Sequence, residues 1–230
     1  MSTTGDGIVV HAAPDAVDAL PAKPPGHNRL RPDLPGERRA AGTRRRLFIA
    51  ADLDEITRAA CASAAQRLRA GGWTGRWVAP ANYHVTVAFL GSVDEDFVDE
   101  VVAALSAVAP QLTALDVPID AIGGFPSARR ARVAWAGASA PVAAFGTLCR
   151  RVRNALAALE LPFDQHADPH VTLARAVGLP AELPRVDPPV TAPLRITGLT
   201  LYESIAAEGS SRYHALEWLP LAAPEVQIQR

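Results

Sequence analysis

The stretch YHVTVAFLG, residues 83–91, has the alternating pattern of a β-strand with two chemically different faces. Because successive side chains of a strand point to opposite faces, His84 and Thr86 share one side. The apolar residues share the other side: Val85, Val87 and Phe89. A single histidine on a strand is most often structural, so this stretch alone predicts a strand and leaves the purpose of its polar face open.

The polar pattern is repeated later in the chain. HVTVA at residues 84–88 recurs as HVTLA at residues 170–174, in a sequence with only six histidines. Each copy follows a turn signal, residues 80–82 for the first and Asp168-Pro169 for the second, and each comes after a helical pattern. The repeat indicates an internal duplication, in which two lobes each present one histidine and one threonine. We expect the two strands to face one another across a cleft.

Two opposed histidines and two threonines suit one kind of chemistry. An imidazole with an unperturbed pKa of ~6.5 can act as a general base or a general acid near neutral pH. The pattern therefore predicts displacement at a phosphodiester, with His84 and His170 moving protons while the hydroxyls of Thr86 and Thr172 donate to phosphate oxygens. The residues alone do not distinguish the acid from the base. Threonine is a poor zinc ligand and no Cys or carboxylate completes a site, so we expect neither a metal nor a cofactor.

The rest of the chain predicts an α+β fold with the element order β-α-β-α-β-β-α-β-β-β. In the first helical pattern Ile56, Ala60 and Leu68 recur at helical spacing. Hairpin-length links favour antiparallel sheets. We therefore expect a duplicated, two-lobed fold whose antiparallel sheets flank a central cleft, with the helices outside. Helices are predicted over 53–70, 94–109 and 141–160, and strands over 45–53, 83–91, 115–126, 131–137, 168–177, 195–205 and 212–221.

The composition bounds the domain organisation. The chain has 230 residues, of which 49% are hydrophobic, and a net charge of -1, so it can bury one sizeable core. Residues 1–43 are rich in Pro, Gly and Ala without periodicity, which predicts a disordered extension. We expect one domain of two pseudo-symmetric lobes over residues 44–222 and a short tail over residues 223–230.

Several classes of protein are not expected from this sequence. No apolar run reaches the ~18 residues of a transmembrane helix, and the N-terminus lacks the basic and apolar regions of a signal peptide. Cys61 and Cys149 are isolated and lie in helical patterns, which predicts buried thiols in a cytoplasmic protein. Beyond residue 46 the chain holds fifteen Lys and Arg against nineteen Asp and Glu, so we expect any bound anion to meet a few local arginines.

The repeat and its surroundings resemble the 2H phosphoesterases, and among them the RNA 2′,3′-cyclic phosphodiesterases, also called 2′-5′ RNA ligases. The resemblance covers residues 46–220. The segments that carry it are RLF at 46–48, WV at 77–78, NYHVT at 82–86, FLG at 89–91, FP at 125–126, RVAW at 132–135, PHVTLAR at 169–175 and LYES at 201–204.

The resemblance implies a metal-independent opening of a 2′,3′-cyclic phosphate at an RNA end, which leaves a 2′-phosphate. By that resemblance His170 is the base that activates water and His84 is the acid that protonates the departing 3′ oxygen, while Thr86 and Thr172 hold the phosphoryl oxygens. The reverse reaction, 2′-5′ ligation, is mechanistically allowed. The implied partner is an RNA with a cyclic phosphate end, and we expect a monomer without a membrane partner.

Five further residues are candidates for substrate binding, each with an equally simple structural role. Arg175 lies five residues beyond His170, so in a regular strand it points to the opposite face and reaches the phosphate only if the strand bulges. Arg46 and Arg132 are candidates for phosphate contacts or are solvated. Tyr83 and Tyr202 are candidates for stacking on a base or are packing residues.

Two other functions compete with RNA-end hydrolysis. One is hydrolysis of a small cyclic nucleotide or a 2′-5′ oligonucleotide by the same residues. The other is a binding module for RNA ends that has lost turnover. The intact His and Thr in both copies argue against the binding module, because binding alone does not require two titratable groups.

Overall fold

A computed structural model of the chain describes residues 43–161, 168–180, 187–189, 191–207 and 210–224. These residues form the helices α1 (Glu55–Ala70), α2 (Val98–Val108) and α3 (Ala143–Ala155). The strands are β1 (Arg44–Asp52), β2 (Thr74–Trp77), β3 (His84–Asp94), β4 (Leu115–Val117), β5 (Ala121–Phe125), β6 (Val133–Gly137), β7 (His170–Gly178), β8 (Leu194–Ile196), β9 (Gly198–Ala207) and β10 (Ser210–Pro220).

The described strands form one large antiparallel sheet and one small one. The large sheet has eight strands in the order β10-β9-β1-β3-β7-β6-β5, with β2 paired to β7, and the small sheet pairs β4 with β8. The predicted α+β class is confirmed. The two halves are neighbours in a single sheet rather than two sheets that face each other, and the pair of Val85 with Val171 joins β3 to β7.

The sequence pattern missed β2 and merged two pairs of strands, β4 with β5 and β8 with β9. The strand predicted over residues 115–126 is β4 and β5, which belong to different sheets. Pro118, which has no N–H to donate, follows β4 directly, and the Asp120 carboxylate accepts the Ser139 N–H at 2.7 Å. These two features turn the chain from one sheet into the other.

The phase of α1 is set by its N-terminal cap. The Asp54 carboxylate accepts the Thr57 N–H at 2.7 Å and fixes where the helix begins. The buried positions then recur at helical spacing as Thr57, Cys61, Ala64 and Leu68. The predicted apolar face was wrong at Ile56, which is 73% exposed, because that residue lies about a quarter turn from the buried stripe.

The helices cover one face of the large sheet and leave the other for the site. The core joins strand residues such as Leu47 and Ile49 to helix residues such as Phe145 in one cluster, and each fully buried side chain of this size contributes about 1.5–3 kcal/mol. Phe48 is also buried but lies outside that cluster, on the opposite face. The prediction of two buried, unpaired cysteines is confirmed.

Some predictions concern residues outside this description. The disordered extension predicted over residues 1–43 lies outside the described residues except at residue 43, and the tail predicted over residues 223–230 does so except at residues 223 and 224. Within the described part of the chain, no helix combines the length and apolar character needed to cross a membrane.

Candidate active site

The two repeated motifs are side by side in the middle of the sheet. Val85 of β3 pairs with Val171 of β7 in antiparallel register. Both valines are fully buried and point into the core. Since neighbours along a strand point to the opposite face, the residues on either side of each valine emerge on the face that the helices leave open.

The antiparallel register crosses the two motifs. Continuing it by one residue on each side of the valine pair places His84 opposite Thr172 and His170 opposite Thr86. Residues opposite each other across an antiparallel pair share a face, with Cβ atoms about 4.5–5.5 Å apart. The four predicted catalytic residues therefore form one compact, pseudo-symmetric patch.

Both imidazoles are oriented by the same local hydrogen bond. His84 Nδ1 lies 2.8 Å from the Asn82 carbonyl oxygen, and His170 Nδ1 lies 2.9 Å from the Asp168 carbonyl oxygen. A carbonyl oxygen can only accept, so each Nδ1 carries the proton and donates it. In the neutral ring this places the lone pair on Nε2, which is the nitrogen that can exchange a proton with a substrate.

A β-bulge returns Arg175 to the face of the histidines. In β6, Trp135 pairs with Thr172 and Val133 pairs with Arg175, so β7 has one more residue than β6 over this interval. The extra residue leaves Leu173 and Ala174 both fully buried. The alternation expected for a regular strand fails here, and Arg175 shares the face of Thr172.

The first motif contains the same irregularity. Phe48 of β1 pairs with Phe89, and two residues further along β1 Ala50 pairs with Thr86, three residues earlier in β3. Phe89 therefore lies on the site face against the Phe48 ring, with centroids 5.8 Å apart. The expectation that Phe89 shares a face with Val85 was wrong for this reason.

His84 lies in an aromatic pocket that the sequence did not reveal. Its ring is 4.9 Å from Phe48 and meets Tyr213 edge to face at 5.2 Å. The pKa of His84 is lowered from 6.5 to about 4, chiefly by burial and also by the positive charges of Arg175 and His170, while the Asn82 carbonyl and the Asp52 carboxylate oppose the change. The imidazole is therefore neutral at neutral pH before a substrate binds.

Asp52 is a second residue near His84 that the sequence did not single out. It pairs directly with His84 across β1 and β3. Its carboxylate accepts hydrogen bonds from the Thr200 hydroxyl, at 2.7 Å, and from the Tyr202 hydroxyl. Burial and this bond to Asp52 raise the pKa of Tyr202. The phenol is thus a neutral donor that holds the carboxylate next to the histidine.

The surroundings of His170 depend on a glycine. His170 pairs with Gly137 of β6, and its ring meets Phe125 edge to face at 5.0 Å. A Cβ atom at Gly137 would lie 2.4 Å from the Pro169 carbonyl oxygen and 3.0 Å from the His170 Cα. Only glycine allows β6 to approach the start of β7 this closely.

Comparisons with known proteins identify the family of this chain. The family model described as LigT like Phosphoesterase matches residues 52–135. The crystal structure of E. coli LigT in apo form superposes with a TM-score of 0.62 at 30% identity, over 78% of this chain and 98% of LigT. The chain belongs to the LigT-like phosphoesterase family.

Curated relatives extend the comparison to named enzymes. A Thermotoga maritima protein named RNA 2′,3′-cyclic phosphodiesterase is 28% identical over 130 residues, which are 56% of this chain and 69% of the relative. An Aquifex aeolicus protein of the same name is 31% identical over 103 residues, 44% of this chain and 55% of that one. The family model ends at Trp135 and does not include the second motif. The position of His170 in this LigT-like phosphoesterase is therefore inferred from the pairing of β3 with β7.

The remaining predicted substrate residues lie in different places in this phosphoesterase. Tyr83 is only 3% exposed and packs in the core, and burial raises its pKa to about 12. Of its two predicted roles, stacking on a base and packing, the burial supports packing. Arg46 is exposed on β1 but stands six residues, about 20 Å, from the position opposite His84. Arg132 is exposed at the bend before β6, and the Tyr202 ring stacks on Phe48 at 5.2 Å.

No group of three or more His, Cys, Asp and Glu side chains suited to hold a metal ion occurs in the described part of this phosphoesterase. The chemistry that its residues can supply is proton transfer by two imidazoles and hydrogen bonding by hydroxyl and guanidinium groups.

Proposed function

We propose that this protein hydrolyses the 2′,3′-cyclic phosphate at the end of an RNA and leaves a 2′-phosphate. The observation that carries the proposal is the pairing of β3 with β7, which gathers two histidines and two threonines on one face. Relatives named RNA 2′,3′-cyclic phosphodiesterase support the choice of substrate.

The proposed reaction is one in-line displacement. His170 Nε2 removes a proton from water, and the water oxygen forms a bond to phosphorus. The bond from phosphorus to the 3′ oxygen breaks, and His84 Nε2 gives that oxygen a proton. The hydroxyls of Thr86 and Thr172 donate to the two non-bridging oxygens and stabilise the charge that develops on them. A 5′-hydroxyl that takes the place of the water loses its proton to His170, bonds to the same phosphorus and displaces the 3′ oxygen, so we propose weak 2′-5′ ligation as well.

The environment of the two histidines supports His84 as the acid. Asp52 stands directly opposite His84 and favours its protonated form, whereas the position opposite His170 is Gly137. The free imidazole of His84 is neutral because burial lowers its pKa. A bound phosphate adds negative charge next to it, so we infer that His84 takes up its proton as the substrate binds.

Two further residues have proposed roles in holding the substrate. Arg175 lies on the histidine face because of the bulge in β7, and it is close enough for its charge to lower the pKa of His84. We assign it to the phosphate. Tyr202 shares the aromatic pocket of His84 and is assigned to the floor beneath the terminal nucleotide. We propose that residues 44–222 act as one domain and that the protein works as a monomer.

The test is incubation of the wild-type protein with a short RNA that ends in a 2′,3′-cyclic phosphate, in buffer with and without EDTA. Chromatography that resolves 2′- from 3′-phosphate ends identifies the product. The proposal requires a 2′-phosphate at an undiminished rate in EDTA. Turnover of 2′,3′-cyclic AMP without turnover of the RNA would instead support a small-nucleotide enzyme, and binding without turnover would support a module that only recognises RNA ends.

A further inference from the structure

Two arginines stand directly opposite each other on neighbouring strands. Arg76 of β2 pairs with Arg175 of β7, and both are exposed. The next pair, Trp77 with Ala174, points into the core, so the two arginines share the face of the histidines. Like charges opposite each other across an antiparallel pair are destabilising. A pair of this kind is best accommodated when an anion lies between or above the two guanidinium groups.

Three more arginines lie at the adjoining edge of the site. Arg129, Arg130 and Arg132 are exposed in the connection from β5 to β6. This connection is held against β7, since Val133 pairs with Arg175 and the Val177 N–H donates to the Arg132 carbonyl at 3.2 Å. We refer to Arg76, Arg129, Arg130, Arg132 and Arg175 as the arginine cluster.

Among the described residues, nothing neutralises the charge of the arginine cluster locally. Residues 74–77, 121–137 and 170–178, which carry it, contain no Asp or Glu. None of its five guanidinium groups forms an ion pair or a hydrogen bond with a residue that the structure describes.

In the half of the sheet that contains β1 and β9, two arginines form ion pairs with carboxylates. At its corresponding edge Arg44 pairs with Asp94 at 3.2 Å and Arg45 pairs with Glu203 at 2.5 Å. In a chain with a net charge of -1, the arginine cluster is therefore a local concentration of positive charge beside the histidines.

We propose that the RNA strand leading to the cyclic phosphate leaves the site over β7, β2 and the β5–β6 connection, with its backbone phosphates on the arginine cluster. This rests on the proposed function and names its substrate as an oligonucleotide rather than a mononucleotide. The terminal phosphate lies at the histidines, where Arg175, three residues or roughly 10 Å along β7 from Thr172, also reaches it. Arg76 and the three arginines of the connection continue the positive surface to phosphates that a mononucleotide lacks.

Salt dependence of binding tests the proposal without requiring turnover. A fluorescently labelled ten-nucleotide RNA that ends in a 2′-phosphate is titrated by anisotropy at several salt concentrations. Arg76→Gln should weaken binding about threefold to fivefold and reduce the slope of log K against log salt by ~0.7, the value for one lost phosphate contact on a single strand. Arg130→Gln, in the connection, should give the same change if Arg76→Gln does not fold. Arg150→Gln, an exposed arginine of α3, is the matched control and should keep the wild-type slope.

Activity measurements separate this proposal from the proposed function. In Arg76→Gln, kcat/KM for the cyclic-ended RNA should fall several times more than kcat/KM for 2′,3′-cyclic AMP. Equal losses on both substrates, or an unchanged salt slope in both variants, would overturn the placement of the strand while leaving the catalytic proposal intact. A wild-type protein that hydrolyses neither substrate would instead refute the proposed function. The salt dependence of RNA binding would still show whether the RNA strand contacts the arginine cluster.

Discussion

The buried histidine of the first motif makes the stability of the fold depend on pH. The pKa of His84 is lowered from 6.5 to about 4 in the folded protein, chiefly by burial. The unfolded chain therefore binds a proton at this residue first as the pH falls below 6.5, and the folded state loses stability until the pH reaches about 4. Because a tenfold difference in proton affinity is about 1.4 kcal/mol, the whole effect is about 3 kcal/mol, of which about 2 kcal/mol falls between pH 7 and pH 5.

Urea unfolding of wild type and His84→Gln at pH 7 and at pH 5 measures this effect. The substitution has its own cost from altered packing, but that cost is the same at both pH values and cancels in the difference. The wild type should lose about 2 kcal/mol more free energy of unfolding than the variant between the two pH values. His214→Gln, which removes an exposed histidine from β10, is the control and should keep the wild-type dependence. Identical pH dependence in wild type and His84→Gln would refute the burial argument.

Three other predictions concern the site. Thr172→Val should lower kcat on cyclic-ended RNA about 10- to 100-fold by removing a hydrogen bond to a charged oxygen; steady-state kinetics measures it, and an unchanged kcat would exclude that role. Gly137→Ala should displace the start of β7 and lower activity about 100-fold, and full activity in this variant would contradict the close packing of β6 on β7. The control is Gly146→Ala in α3, where a Cβ atom meets nothing within 4 Å, and it should leave activity unchanged. Binding of inorganic phosphate near pH 6 should be accompanied by uptake of a proton by the protein, measured by calorimetry in buffers of different ionisation enthalpy, and His84→Gln should abolish most of that uptake. Equal proton uptake in both proteins would exclude His84 as the group that binds the proton.

The sequence predicted the patch formed by the two motifs better than its surroundings. The repeat around His84 and His170 is visible in the letters, because duplication preserves residue type and spacing. The bulges that bring Phe89 and Arg175 to the site face are not visible, since they depend on how many residues the neighbouring strand offers over the same interval. No pattern within one strand reports that number.

Long-range contacts account for the other differences. The Asp52 carboxylate accepts a hydrogen bond from the hydroxyl of Tyr202, which lies 150 residues further along the chain. The sequence around either residue therefore does not predict this contact. Tyr83 precedes His84 and was predicted as a candidate for substrate contact, but its place one residue before β3 puts its ring on the opposite side from His84, in the core. The four residues of β2 are too few to show a period, although they supply one side of the arginine cluster.

The most direct test of the account is the rate at which His84→Ala and His170→Ala convert a cyclic-ended RNA to its 2′-phosphate, each measured with saturating RNA and EDTA present. Because general acid and general base catalysis each contribute about 10²- to 10⁴-fold, each variant should lose at least ~100-fold in kcat while circular dichroism shows an intact fold. Near-normal turnover in either folded variant would contradict the paired-histidine mechanism.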